Sequence, residues 1–394
     1  PDTEQIPNIL CCRMAIRALV LSDSHLGFDL PARPRIRRRR RCHDFLANYR
    51  SALRPAVSGE VDLVVHAGDV FHLPRVSREL VYEAFEPLKR IAGAGIPVFV
   101  VPGNHERSKI PHAHLAGHPG VHLFDAPRTF QLTVRGTRLA VSGFPYQRRD
   151  VRSRFPTLFE ATELGSLDYD VAILCMHHCV EGATVGPADY TFRDAPDVVA
   201  CADVPPGLAA VVSGHVHRHQ VLTTDMSGRP LAAPVLYPGS IERTAFAELG
   251  EPKGYILLEL AADAGRSGGR VLSWRFESLS TRPMIERALR VDGLGALALE
   301  RMIRDAVSEA PVDSVLRLRL HGRIDADARP ALSATRLRAL APPDMNLDVI
   351  LVDEPRPRRR LSRRTARRAP RTLDDPQGEL ALGPPKPRDR YPRA

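Results

Sequence analysis

The chain has 394 residues, 43% of them apolar and 26% charged, with a formal net charge of +10. That apolar share excludes a wholly disordered chain. No apolar run approaches the roughly 18–20 residues of a membrane span, so no membrane association is expected.

In chain order, Pro1 to Arg13 lacks the basic-then-apolar pattern of a signal peptide and reads as a leader. Five short apolar runs follow: Ala15 to Leu21, Val61 to His66, Ile96 to Val101, Val171 to Met176 and Leu208 to Val212. Runs of this length bounded by turn residues predict buried strands. Between the second and third, Leu80, Val81, Ala84, Phe85, Leu88 and Ile91 recur at helical spacing, and Gly93 and Gly95 end the pattern. Strand–helix–strand alternation predicts an α/β layered fold. A hairpin is expected around Arg135-Gly136-Thr137, with later strands at 235–237, 254–260 and 271–276 and Trp274 in the core. The body thus reads as a two-sheet β-sandwich flanked by helices over 14–280. A small α/β unit over 281–352 shows strands at 284–291, 315–320 and 347–352, with helices at 294–308 and 328–340. Residues 353–394 hold proline, arginine and acid without apolar period and read as a disordered tail.

The excess charge sits in two places. Residues 33–41 hold seven arginines, and 353–394 hold 13 basic against 6 acidic side chains, so the body between them is near neutral. Arg37, Arg38, Arg39 and Arg40 are therefore candidate phosphate contacts. Six cysteines without a C-x-x-C pair fit a reducing cytoplasm.

Each of the five strands ends in His, Asp or Asn: Asp23 and His25, Asp69, Asn104 and His105, His177 and His178, His215 and His217. Strand carboxyl ends are where open α/β sheets gather ligands. A mixed oxygen and imidazole set without thiolate suits Mn, Fe or Zn. There are more groups than one ion needs, which points to two ions, with Asp69 as the bridge between the earlier and later groups. A single buried histidine is most often a hydrogen-bonded core residue; five strand-end motifs together are not explained that way. His112, His114, His118 and His122 read as loop histidines, His66 and His219 as residues flanking the site, and Asp44 and Phe45 as structural.

Asp23-Ser24-His25, Gly68-Asp69, Gly103-Asn104-His105-Glu106, His177 and Gly214-His215-Val216-His217 together resemble the ordered motif set of the calcineurin-like metallophosphoesterases across residues 15–260. Gly68-Asp69-Val70-Phe71-His72 and Tyr237-Pro238-Gly239-Ser240-Ile241-Glu242-Arg243 resemble the SbcD-type DNA repair nucleases. The 281–352 unit is similar to that family's DNA-capping domain in place and size. The resemblance implies two divalent cations, Mn foremost with Fe, Zn or Mg as alternatives. One would be held by Asp23, His25 and His217, the other by Asn104, His177 and His215, with Asp69 shared and His178 as the alternative to His177. It implies that His105 assists the leaving oxygen and that His72 and Glu106 stand near the ions or substrate.

It further implies a DNA exonuclease, with endonuclease activity also open, that works in repair with a coiled-coil ATPase of the SbcC kind as partner and as a homodimer. The segment Arg358 to Arg371, where the ATPase helix would lie, lacks an apolar face. Two alternatives remain at this point: a phosphodiesterase for cyclic nucleotides or small esters, which would not need a capping unit, and a DNA-binding scaffold with little chemistry, which would not need the full ligand set. Phe71-His72-Leu73 stands where protein phosphatases carry Asp-Arg-Gly.

Overall fold

The chain is known from a computed structural model that describes residues 15–29 and 41–352. The leader 1–13, the tail 353–394 and Arg37, Arg38, Arg39 and Arg40 lie outside the described residues. All five apolar runs form strands. The first part runs β1 (Ile16–Leu21), α1 (Arg41–Ala52), the single turn α2 (Arg54–Val57), β2 (Leu63–His66), α3 (Arg78–Gly93), β3 (Val98–Val100) and β4 (Val121–Leu123). Next come the hairpin β5 (Arg128–Val134) and β6 (Thr137–Gly143), then α4 (Val151–Glu160) and β7 (Val171–Met176). Two-residue strands follow: β8 (Cys179–Val180), β9 (Thr184–Val185), β10 (Tyr190–Thr191) and β11 (Val198–Val199). The body closes with β12 (Ala210–Ser213), β13 (Gln220–Thr224), β14 (Pro230–Tyr237), β15 (Gly254–Asp263) and β16 (Arg266–Ser278). The last part is β17 (Met284–Arg290), α5 (Ala296–Ser308), β18 (Val315–His321), α6 (Ala334–Leu340) and β19 (Asn346–Val352).

Two six-stranded sheets result, ordered β16-β15-β1-β2-β3-β4 and β13-β14-β12-β7-β6-β5. In the first, β1 to β4 are mutually parallel. In the second, β14, β12, β7 and β6 are. Strand–helix–strand crossovers produce this, as α3 does between β2 and β3. The runs look continuously apolar because both faces of each strand are buried. Ile16, Ala18 and Val20 of β1 meet Val171, Ile173 and Cys175 of β7 between the sheets. The alternate residues Leu19 and Leu21 face Phe45 and Tyr49 of α1 and Phe85 and Leu88 of α3. On the other flank, Ala172, Leu174 and Met176 pack with Phe155 of α4. The order is therefore helix, sheet, sheet, helix. Truncating one of these buried leucines, such as Leu88, costs about 2–5 kcal/mol.

Helix α3 begins where Ser77 Oγ accepts from the Leu80 N–H at 3.2 Å. The three parallel strands β17-β18-β19 form a third sheet, with its own apolar cluster around Leu299, Ile303, Leu316 and Leu318.

Three expectations are corrected. The helix expected at 328–340 is broken: a turn at Arg329–Leu332 ends at Ser333, which is extended and caps α6 by accepting from the Arg336 N–H. Pro330 and a hydroxyl that competes for backbone donors account for the break. Trp274 is 44% exposed, because β16 is the outermost strand of its sheet; the indole meets the His219 ring edge-on. His122 lies in β4, not a loop, and stacks on Phe99 with ring centroids 4.9 Å apart. Among the described residues, no helix is long and apolar enough to cross a membrane.

Candidate metal centre

The parallel strands put their carboxyl ends along one edge of the sandwich, and the chemistry-bearing side chains follow those ends. The turns that deliver them are tightly bent. Asp23, His25, Asp69 and His215 all sit in the left-handed region, at φ 49°, 42°, 52° and 76°. Such conformations cost on the order of 1–3 kcal/mol each and persist only where the surroundings enforce them. Two glycines allow the turns to close on one another. A Cβ at Gly68, where φ is 105°, would strike the His177 ring, and one at Gly103 would strike the Asp69 carboxylate.

The donors fall into two groups. In one, His25 Nε2 lies 2.9 Å from His217 Nε2, and Asp23 Oδ1 lies 3.7 Å from His217 Nε2 and 4.0 Å from His25 Nε2. In the other, Asn104 Oδ1 lies 3.0 Å from His177 Nε2 and 2.9 Å from His215 Nδ1. Asp69 Oδ2 reaches both groups, at 3.8 Å from His25 Nε2 and 3.3 Å from His177 Nε2, more closely than Asp23 Oδ1, which lies 4.0 Å from His177 Nε2.

The electrostatics set burial, which opposes charge, against the carboxylates, which favour positive charge beside them. Burial alone would discharge His177, but the Asp69 carboxylate outweighs it and pushes the ring up to about 9. Burial would raise Asp69; His177 and His25 reverse this and hold it well below the usual carboxylate range. Burial, with His177 beside it, pushes His215 down to about 3. Imidazole nitrogens, carboxylates and an amide oxygen converging at hydrogen-bond distances form a donor set for borderline divalent cations, which would take the place of the shared protons. The residues present fit such ions.

Tautomers are fixed from behind. His177 Nδ1–H donates to the Ala67 carbonyl at 2.7 Å, so Nε2 faces inward. His105 Nδ1–H donates to the His72 carbonyl at 2.6 Å, leaving its Nε2 toward the centre, 3.9 Å from Asp69 Oδ2. At 34% side-chain exposure, His105 is open to the mouth of the site. His72 Nδ1 lies 3.5 Å from His25 Nδ1. His178 turns away: its Nε2 accepts from the Gln147 N–H at 3.0 Å, and its ring stacks on Tyr146. Glu106 does not face the donors. It is buried and accepts from Phe71 N–H at 2.7 Å and Gly103 N–H at 2.6 Å, tying two of the turns together. Burial, with Asp69 close by, pushes its carboxyl up to about 8.

His66 Nε2 hydrogen-bonds the Ser24 hydroxyl and His219 Nδ1–H donates to the Tyr237 carbonyl; both flank the site. Arg41, the last of the arginine run, is not a phosphate contact. It is buried, with Asp44 at 3.3 Å and Glu242 at 3.3 Å.

Three participants, Tyr146, Glu248 and Lys253, escaped the sequence reading, and Tyr237 was read only as part of a motif. Tyr146 follows the end of β6, which runs parallel to β7, and that placement is a signal that could have found it. Tyr237 accepts from Val180 N–H and donates to the His178 carbonyl. Glu248 accepts from His217 Nδ1–H at 3.1 Å and pairs with the buried Lys253. Nothing in the local sequence marks either of these last two.

Residues 16–219 match the profile of the family described as calcineurin-like phosphoesterase. Three relatives bear the name DNA double-strand break repair protein Mre11. That of Haloferax volcanii is 28% identical over 314 residues, 78% of this chain and 61% of that protein. That of Methanosarcina mazei is 28% identical over 291 residues, 71% of this chain and 40% of that protein. That of Thermoplasma acidophilum is 23% identical over 315 residues, 77% of this chain and 76% of that protein. The chain thus spans less than two thirds of the length of the first two.

Proposed function

The chain belongs to the calcineurin-like phosphoesterase family, and from that premise we propose that it hydrolyses phosphodiester bonds, that its substrate is DNA and that it is a metal-dependent nuclease, an exonuclease foremost, acting in DNA repair. The observation that carries the hydrolytic part is the reach of Asp69 Oδ2 to both donor groups. The substrate is supported by relatives whose names state DNA break repair and whose matches, at 314 and 315 residues, are longer than the family segment 16–219.

In this reading Asp23, His25 and His217 hold one divalent cation, Asn104, His177 and His215 hold another, and Asp69 is shared; Mn is the first candidate. When bound, such ions neutralise the phosphodiester anion and acidify water. The chain's own residues do the rest. His105 Nε2, at the exposed side of the donors, is placed to give a proton or hydrogen bond to the departing oxygen. Glu106 keeps the turns of Asp69 and Asn104 in register. A coiled-coil ATPase of the SbcC kind and a second copy of the chain are the partners this reading carries.

The test is purified protein with Mn²⁺ and linear duplex DNA, run beside a cyclic nucleotide and a small aryl phosphodiester, with Asp69→Asn as control. Shortening of the DNA that disappears in the variant is the expected result. Turnover of the small esters alone would keep the hydrolytic chemistry and overturn the substrate.

A further inference from the structure

We infer that Glu248, anchored by Lys253, is a positioning residue that fixes the ring of His217 and strengthens one of the two cation sites selectively. The inference rests on the two-ion reading above and goes beyond its ligand set.

Lys253 is 1% exposed, yet each of its ammonium hydrogens has an acceptor: Glu248 Oε2 at 2.8 Å, Glu251 Oε2 at 3.1 Å and the His217 carbonyl at 3.0 Å. A buried charge survives only when paired and hydrogen-bonded in this way. Glu248 is equally well satisfied. Its Oε1 accepts from the Thr244 hydroxyl at 2.6 Å and from His217 Nδ1–H at 3.1 Å. The network therefore grips His217 twice, at the ring through Glu248 and at the backbone through Lys253. With Nδ1 committed to Glu248, Nε2 is the nitrogen turned toward Asp23 and His25.

This brace differs in kind from the others. His177 and His105 lean on carbonyl oxygens, which are neutral dipoles, whereas His217 leans on a carboxylate. A carboxylate behind a ligating imidazole fixes the tautomer and raises the basicity of the far nitrogen. Glu251 and Arg218, themselves paired at 3.0 Å, extend the network, so Glu248 is not an isolated buried anion. A group that served only the packing of the 246–248 turn would not need to face this nitrogen.

The test measures Mn²⁺ binding isotherms of the full chain by calorimetry, for wild type, Glu248→Ala, Glu248→Gln, Lys253→Met and Asp69→Asn, with the melting temperature of each metal-free protein. Glu248→Ala should weaken one of two sites by about 10- to 100-fold, the range for loss of such partners, and leave the other unchanged. Glu248→Gln, which keeps an acceptor oxygen and the shape, should lose less and melt like wild type. Lys253→Met should weaken the same site. Long-range ¹⁵N NMR of the metal-free protein should show His217 protonated at Nδ1 in wild type and a mixture of tautomers in Glu248→Ala. Two unchanged sites in both Glu248 variants, beside a loss in Asp69→Asn, would overturn the inference while sparing the two-ion reading. Equal weakening of both sites, with a matching drop in melting temperature, would reduce Glu248 to packing and also overturn it. Unchanged binding in Asp69→Asn would sink the two-ion reading, and this inference with it.

Discussion

The Asn104–His177–His215 half of the donor cluster and the Asp23–His25–His217 half are held in place by different means. In the first, the brace on His177 is main chain, the Ala67 carbonyl, while the His215 N–H donates across to the Asp23 carboxylate of the second half at 3.1 Å. Those groups belong to the same strand ends that deliver the donors, so brace and ligand are set by one piece of backbone. In the second, the brace is a side chain from a turn about 30 residues later, kept in place by a buried lysine. A main-chain brace tolerates changes of side chain but not of backbone shape, and a side-chain brace shows the opposite sensitivity.

Substitutions can sharpen or break that contrast. Asp69→Asn touches both halves and has the largest expected effect: hydrolysis is lost and less metal is bound, read by nuclease assay and metal analysis. Full activity in that variant would remove the bridge from the account. His105→Ala removes no donor of either half, although its ring lies against His25 with centroids 4.6 Å apart. Turnover should fall by about 10²–10⁴-fold, as for loss of a general acid, while both ions stay; a lost ion would make His105 a ligand. Gly68→Ala acts most directly on the main-chain half, since its Cβ would strike His177 and its φ of 105° is unsuited to alanine; the other half is reached through the Asp23 N–H, which donates to the Gly68 carbonyl at 2.9 Å. The Asn104-side ion should weaken by more than the roughly 10- to 100-fold expected for Glu248→Ala, because the ring itself is displaced. Equal weakening of both sites in a calorimetric titration would show that the halves are not separable. The smallest effect is that of Tyr237→Phe. It leaves the buried Val180 N–H without its 2.8 Å acceptor and should cost about 1–3 kcal/mol in denaturant unfolding.

The same contrast explains what the sequence disclosed. Strands β1, β2, β3, β7 and β12 were legible because apolar runs bounded by Gly, Pro and Asp announce themselves. The donors were legible because each follows such a run. Choosing His177 over His178 took an outside resemblance, since adjacent side chains on an extended segment differ only in the side they face; in the structure His177 joins the donors and His178 meets Gln147. Glu248 and Lys253 were hidden because their meaning lies in a contact between a turn and a strand end far apart in sequence, and a glutamate in a surface-like stretch carries no periodicity. Trp274 misled for a related reason: its composition suggested core, but its place at a sheet edge decided the outcome.

The 246–248 turn has one more neighbour. The Arg317 guanidinium, on the middle strand of the small sheet, lies 3.9 Å over the Phe246 ring. Arg282 is a second stitch, reaching from the Asp313 carbonyl at 2.7 Å to Asp44 of α1 at 3.4 Å. The small sheet is thus geared to the turn that carries the His217 brace. Whatever preference a bound cation has for one seating of that sheet, the sheet in that seating returns as an equal preference for the cation, because such linkage is reciprocal.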